Sequence, residues 1–110
     1  MDWGSYLAAN HSIIYTRIDG RGSGLRGDKL LHTLYRQLGT VEITDQIQIA
    51  KKLQAKYSYI DGNSTGIWGW SYGGYASAMA LAKDTENVFR CAASVAPVTD
   101  WTYYGKQKLI

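Results

Sequence analysis

Apolar positions along the chain fall into short runs separated by glycine-rich or polar breaks, and the spacing within a run changes from one to the next. Residues Ile13-Ile14-Tyr15-Thr16-Arg17-Ile18 are rich in β-branched side chains and stop at Asp19-Gly20-Arg21-Gly22-Ser23-Gly24, which predicts a strand followed by a loop. The loop continues through Asp28-Lys29 towards Gly39, with Leu30, Leu31, Leu34 and Leu38 spaced as in a short helix. From Thr40 the period becomes helical. Ile43, Ile47, Ala50 and Leu53 recur on one face, Thr40 suits the N-cap, Glu42 and Asp45 suit the positive first turn, and Lys51, Lys52 and Lys56 lie towards the end. After a turn at Asp61-Gly62-Asn63, residues 65–70 read as a short buried strand, and Tyr75 to Lys83, dominated by alanine, as a buried helix. A turn at 84–87 precedes the last apolar run, Cys91-Ala92-Ala93-Ser94-Val95-Ala96.

The order strand, helix, strand, helix, strand predicts an α/β fold with parallel strands, because parallel neighbours need crossover connections and the crossover helices cover the sheet. The runs 67–70 and 91–96 are continuously apolar, which suits strands buried on both faces. Three such strands with two helices leave sheet edges open, so missing partners are expected on at least one side. Length agrees with that reading: 110 residues fit one domain but fall short of the roughly 200–300 that many complete α/β enzymes need. The expectation is a piece of a domain.

Composition narrows the class. With 45% hydrophobic and 19% charged residues the chain is built to be buried, not disordered. The net charge is +3, and the twelve Lys and Arg are spread without a run of five, which argues against a nucleic-acid partner. Cys91 is alone, so it forms no internal disulfide, and it stands in no metal-ligand spacing. No apolar stretch approaches ~18 residues, and Met1-Asp2-Trp3-Gly4 lacks the regions of a signal peptide, so any address or anchor is expected outside this segment. Asn10-His11-Ser12 and Asn63-Ser64-Thr65 are glycan acceptors if the chain enters the secretory pathway.

Chemistry enters at Gly69-Trp70-Ser71-Tyr72-Gly73, a G-x-S-x-G pentapeptide with a predicted strand before it and a predicted helix after it. That context predicts a nucleophile elbow: a sharp turn lifts the serine hydroxyl clear of the sheet, and flanking glycines leave room for the turn. Ser71 is the candidate nucleophile. The backbone N–H of Tyr72, at the helix start, is the candidate oxyanion donor. A serine hydroxyl needs a base, and in α/β-hydrolases the chain order is Ser, Asp/Glu, His. His11 and His32 both precede Ser71 and read as a strand-edge residue and a loop residue. Asp84 falls in a helix-ending turn and Asp100 just after the last strand, so neither is assigned to a triad. Trp101, Tyr103 and Tyr104 lie just past the C-terminal end of a predicted parallel strand, the edge where open α/β sheets bind ligands; a proline ring suits such flat walls, and core packing explains them as well. The Asp19–Gly24 loop lacks the ending of a P-loop, and no nucleotide, cofactor or metal is implied.

Seven blocks then occur in an order and spacing that resemble the dipeptidyl peptidase IV branch of the prolyl oligopeptidase family, which includes fibroblast activation protein. They are Asp19-Gly20-Arg21-Gly22-Ser23-Gly24, Gly27-Asp28-Lys29, Leu38-Gly39-Thr40, Asp45-Gln46, Gly69 to Tyr75, Val95-Ala96-Pro97-Val98 and Trp101-x-Tyr103-Tyr104. The resemblance runs from about residue 3 to 104. It implies a partial α/β-hydrolase fold, the central fragment of a catalytic domain that in the family follows an N-terminal β-propeller. Members cleave dipeptides from peptide N-termini after proline or alanine. Many are glycosylated type II membrane proteins or secreted forms, which makes Asn10 and Asn63 more credible acceptors, and a homodimer is a further expectation for the full-length protein.

By position, Ser71 matches the family nucleophile, Tyr72 the residue whose main-chain N–H lines the oxyanion hole, and Val98, Trp101 and Tyr104 the hydrophobic pocket for the proline ring. Departures are as informative. A further pocket tyrosine of the family is replaced by Lys108, and residues 105–110 fit the pattern poorly, as a mispredicted or alternatively spliced end would. The family's triad Asp and His, an upstream oxyanion-hole tyrosine and the glutamates that hold the substrate amine all lie outside these 110 residues. The fragment alone is therefore expected to be inactive, and a truncated non-catalytic product or interaction protein is the alternative reading. Some relatives that act as channel-associated non-enzymes have lost the serine; Ser71 argues against that group. An esterase is disfavoured by the Trp70-Ser71-Tyr72 elbow and the Trp101 block.

Overall fold

The computed structural model describes residues 2–102. They form two compact units, divided between Ile60 and Asp61.

The first unit opens with helix α1 (Trp3–His11), in a stretch where the sequence pattern predicted no element. Asp2 caps it, its carboxylate accepting from the Ser5 amide at 2.8 Å, and Ser12 ends it in the left-handed region at φ 53°. Gly4 is its buried residue, because a Cβ there would meet the Tyr15 ring, with Cε1 at 2.7 Å. His11 is thus the last residue of a helix and not a strand-edge residue. The strand predicted over 13–18 does not form, and Ile13 and Ile14 are exposed. β-branched composition makes a strand only where a neighbour supplies the ladder, and no described segment pairs with this one. The leucine spacing after the glycine loop is met by a one-turn helix, α2 (Asp28–Leu31), and a 3-10 turn over His32–Leu34, which takes His32 out of the loop.

Helix α3 (Val41–Lys56) is the best specified element of this unit, with Ile43, Ile47 and Ala50 buried as the period predicts. Thr40 occupies the N-cap but its side chain does not cap. Instead the buried Glu42 carboxylate reaches back, accepting from the Gly39 amide and, at 3.0 Å, from the Thr40 amide. Two helix-start donors are satisfied by the residue expected only to complement the dipole. Asp45 also does more than that. Arg21 donates to it from its backbone at 2.8 Å and from its guanidinium at 2.6, 3.0 and 3.2 Å, and Gln46 donates to the Ile18 carbonyl at 3.2 Å. The pair Asp45-Gln46 therefore clamps residues 18–21 to α3.

In the second unit, strand β1 (Gly66–Trp70), helix α4 (Tyr72–Lys83) and strand β2 (Cys91–Val95) make a β-α-β crossover. The strands are parallel, in register from Gly66 opposite Cys91 to Trp70 opposite Val95. Helix α4 packs on both strands, and Ala80 and Ser77 are its most buried residues. The Asp84 carboxylate closes the turn after it by accepting from the amides of Glu86 and Phe89 at 3.2 and 2.7 Å. The α/β expectation holds with two strands, not three, among the described residues. Burial on both strand faces does not hold: β1 alternates, with Trp68 and Trp70 41% and 67% exposed. Only one face of the pleat is covered by α4. No helix among the described residues is long and apolar enough to cross a membrane.

Candidate active site

Ser71 sits between the last residue of β1 and the first of α4, with φ 56° and ψ −117°. A serine in this region is strained by its own Cβ, so the conformation persists only where its surroundings hold it. Three backbone hydrogen bonds do so. The Ser71 amide donates to the Val95 carbonyl at 2.9 Å, and the Ser71 carbonyl accepts from Tyr75 at 3.1 Å and from Val98 at 3.4 Å. The side chain is exposed and makes no cap hydrogen bond to α4, so its hydroxyl is not consumed by the helix start.

The glycines explain how the strand and helix come so close. A Cβ on Gly69 would overlap the Gly73 carbonyl group and stand 2.7 Å from its Cα, and one on Gly74 would stand 2.8 Å from the Val95 carbonyl oxygen. At Gly73 itself a Cβ would meet nothing within 4 Å. The expectation that glycines on both sides of the serine make room is thus met at Gly69 and Gly74. At Gly73 the backbone is the surface approached. Two hydroxyls tie the first turn of α4 down: Ser77 donates to the Gly73 carbonyl and Ser94, from β2, to the Gly74 carbonyl, both at 2.8 Å. Tyr72, the first residue of α4, places its amide at the positive end of the helix beside Ser71.

Beyond β2 the chain turns back towards the elbow. Ala96 has φ 42°, and Val98 reaches Ser71 through its amide. Trp101 lies against two rings of α4: Tyr72 at 6.1 Å between centroids, and Tyr75 at 5.4 Å in an edge-on arrangement; Tyr72 and Tyr75 are 5.6 Å apart. Of the predicted pocket residues, Val98 and Trp101 are therefore brought to the elbow, and Tyr104 lies outside the described residues, as does Lys108. Sequence reasoning gave Tyr75 no role of its own. The signal was available, since Tyr72 and Tyr75 are three residues apart on one helix face.

The two aspartates after Ser71 have other work. Asp84 holds its turn, and the Thr102 hydroxyl and amide beside Asp100 keep that carboxyl below the usual carboxylate range. No histidine follows Ser71 in the sequence. His11 lies edge-on to the Tyr6 ring at 5.4 Å, within the first unit. Among the described residues no three His, Cys, Asp or Glu side chains cluster as metal ligands would. Both sequon asparagines are exposed: the Asn10 amide donates to the Tyr6 carbonyl at 3.1 Å, and the Asn63 carbonyl oxygen accepts from Arg90 at 2.7 Å.

The arrangement provides an exposed hydroxyl held at a strand-to-helix turn, a helix start beside it, and a cluster of three aromatic rings at the first turn of that helix. Comparison with known proteins places the chain among similar sequences and one similar structure. The profile of the prolyl oligopeptidase family matches residues 1–110. Over 100 residues, 91% of the chain, the sequence is 64% identical to venom dipeptidyl peptidase 4 of Apis mellifera. Over 104 residues it is 47% identical to prolyl endopeptidase FAP of Bos taurus. The match covers 94% of this chain in the second case, and 13% of the relative's length in both. The crystal structure of Porphyromonas gingivalis dipeptidyl peptidase 4 superimposes with a TM-score of 0.69 at 44% identity, covering 76% of this chain and 12% of that one.

Proposed function

Because this chain belongs to the prolyl oligopeptidase family, we propose that it is the elbow-bearing segment of the α/β-hydrolase domain of a serine dipeptidyl peptidase. The observation that carries the reading is the left-handed Ser71 at a strand-to-helix junction, pinned by three backbone hydrogen bonds and followed directly by Tyr72, whose ring meets Trp101. In the proposed reaction the Ser71 hydroxyl oxygen attacks the carbonyl carbon after a penultimate proline or alanine, and its proton passes to a histidine supplied from outside these residues. The Tyr72 amide stabilises the oxyanion, the amine leaves with the proton, and water releases the dipeptide from the acyl-enzyme. Val98 and Trp101, with Tyr104, would receive the side chain of the second residue.

The relatives, named as dipeptidyl peptidases and a prolyl endopeptidase, support a peptide substrate, and the venom relative supports an extracellular setting. In that setting Asn10 and Asn63 would carry glycans, and the full-length protein would act on secreted peptides, anchored or free, as a homodimer. The second reading is favoured by one observation: Asp84 and Asp100 are engaged locally and no histidine follows Ser71, so the chain order Ser, Asp/Glu, His is not completed within these 110 residues. By themselves they would form a non-catalytic product.

An activity-based phosphonate decides between the two. Labelling of the full-length protein that disappears in Ser71→Ala supports the peptidase, together with hydrolysis of a Gly-Pro amide in preference to a simple ester. Full-length protein that is folded yet unlabelled refutes it.

A further inference from the structure

Tyr75 touches both halves of the site while belonging to neither. Its amide donates to the Ser71 carbonyl at 3.1 Å, and its ring meets the Trp101 indole edge-on, 5.4 Å between centroids and 86° between planes. Edge-to-face contact fixes ring orientation as well as excluding water, since a positive ring edge meets a negative face. Tyr72 completes the set, tilted against both rings. Trp101 itself is on a segment with no regular structure, six residues past the end of β2 and 39% exposed. The Tyr72 and Tyr75 rings of α4 are both in contact with that indole. The Tyr75 hydroxyl makes no hydrogen bond among the described residues, so what Tyr75 supplies is its ring.

We infer that Tyr75 is a positioning residue for substrate selection: through its ring it sets the indole plane of Trp101 relative to Ser71, and thereby the preference for proline over alanine at the second substrate position. This rests on the peptidase reading above. A flat five-membered ring gains from a wall held at one angle, whereas a methyl group is too small to sense the tilt.

The test uses the full-length protein, with Gly-Pro and Gly-Ala amides, a small alkyl fluorophosphonate lacking a proline ring, and an aminoacyl pyrrolidide as a non-hydrolysed proline mimic. In Tyr75→Ala the ratio of kcat/KM for Gly-Pro over Gly-Ala is expected to fall about tenfold, the scale at which small changes in an apolar pocket act. The fall should be carried by KM, pyrrolidide binding should weaken in parallel, and fluorophosphonate labelling of Ser71 should stay within about twofold. Tyr75→Phe, which keeps the ring, restores the ratio. The inference is overturned if folded Tyr75→Ala keeps the ratio within twofold, if both amides and the fluorophosphonate lose reactivity equally, or if Tyr75→Phe behaves like Tyr75→Ala. Wild-type protein that neither labels nor binds the pyrrolidide overturns the peptidase reading and this one together. Normal wild-type activity with an unchanged ratio in the variant overturns this one alone.

Discussion

Ser71 shows how a single residue carries information that its own side chain does not. Its positive φ is costly for serine, of order 1–3 kcal/mol, and its neighbours in sequence are chosen to make that geometry reachable. Gly69 and Gly73 illustrate the division of labour. Gly69→Ala drives a methyl group into the Gly73 carbonyl group, and we expect a loss of about 1–3 kcal/mol, read as a lower Tm of the full-length protein together with lost phosphonate labelling. Gly73→Ala meets open space and gains helix propensity worth up to about 1 kcal/mol, so its Tm should stay level or rise. The pentapeptide alone announces both glycines as equals; only the built backbone separates them. Tyr75 was hidden for a related reason. A helix face was readable in the sequence, but the partner ring, Trp101, lies 26 positions later on a segment without regular structure.

Elements were legible where their signal is local, and were missed where it depends on a partner. Helix α3 follows from its own period and β1 and β2 from their apolar runs, whereas 13–18 has strand composition without a strand beside it. The start of α3 shows the same limit at finer grain, because Thr40 looks like the cap and Glu42 is the cap. Glu42→Ala should therefore cost about 1–2 kcal/mol, as lost caps do, and more than Thr40→Ala, by chemical denaturation of the full-length protein. Asp45 gives a pH dependence with a definite sign. The guanidinium of Arg21 hydrogen-bonds its carboxylate and holds its pKa below the ordinary 3.8, with partial burial opposing and the Arg21 amide assisting. A carboxylate depressed in the folded state contributes stability that is complete above the unfolded value and is lost as the pH falls through the folded one. The clamp on residues 18–21 should accordingly be intact at pH 5 to 7, and should open only below about pH 4. Amide exchange at Arg21 measures it, and Asp45→Asn should raise that exchange at neutral pH.

The chain spans 13% of the length of the relatives it matches. Helix α4 covers one face of β1, and Trp68 and Trp70 stand exposed on the other, where an α/β sheet ordinarily bears a second layer. Family and fold class were legible from the sequence because ordered blocks and a flanked elbow are specific; burial of the strands was not, because it depends on what packs against each face, which an apolar run does not specify. Expressed alone, the 110 residues should bind an apolar dye and show no phosphonate labelling above the Ser71→Ala background, in contrast to the full-length protein. The three hydrogen bonds that pose Ser71 have a further consequence, in time. Two of them run to Val95 and Val98, residues 24 and 27 positions later. During synthesis the serine therefore emerges from the ribosome before the groups that pose it. A nascent chain halted short of residue 95 lacks two of the three hydrogen bonds that hold Ser71 in its left-handed conformation.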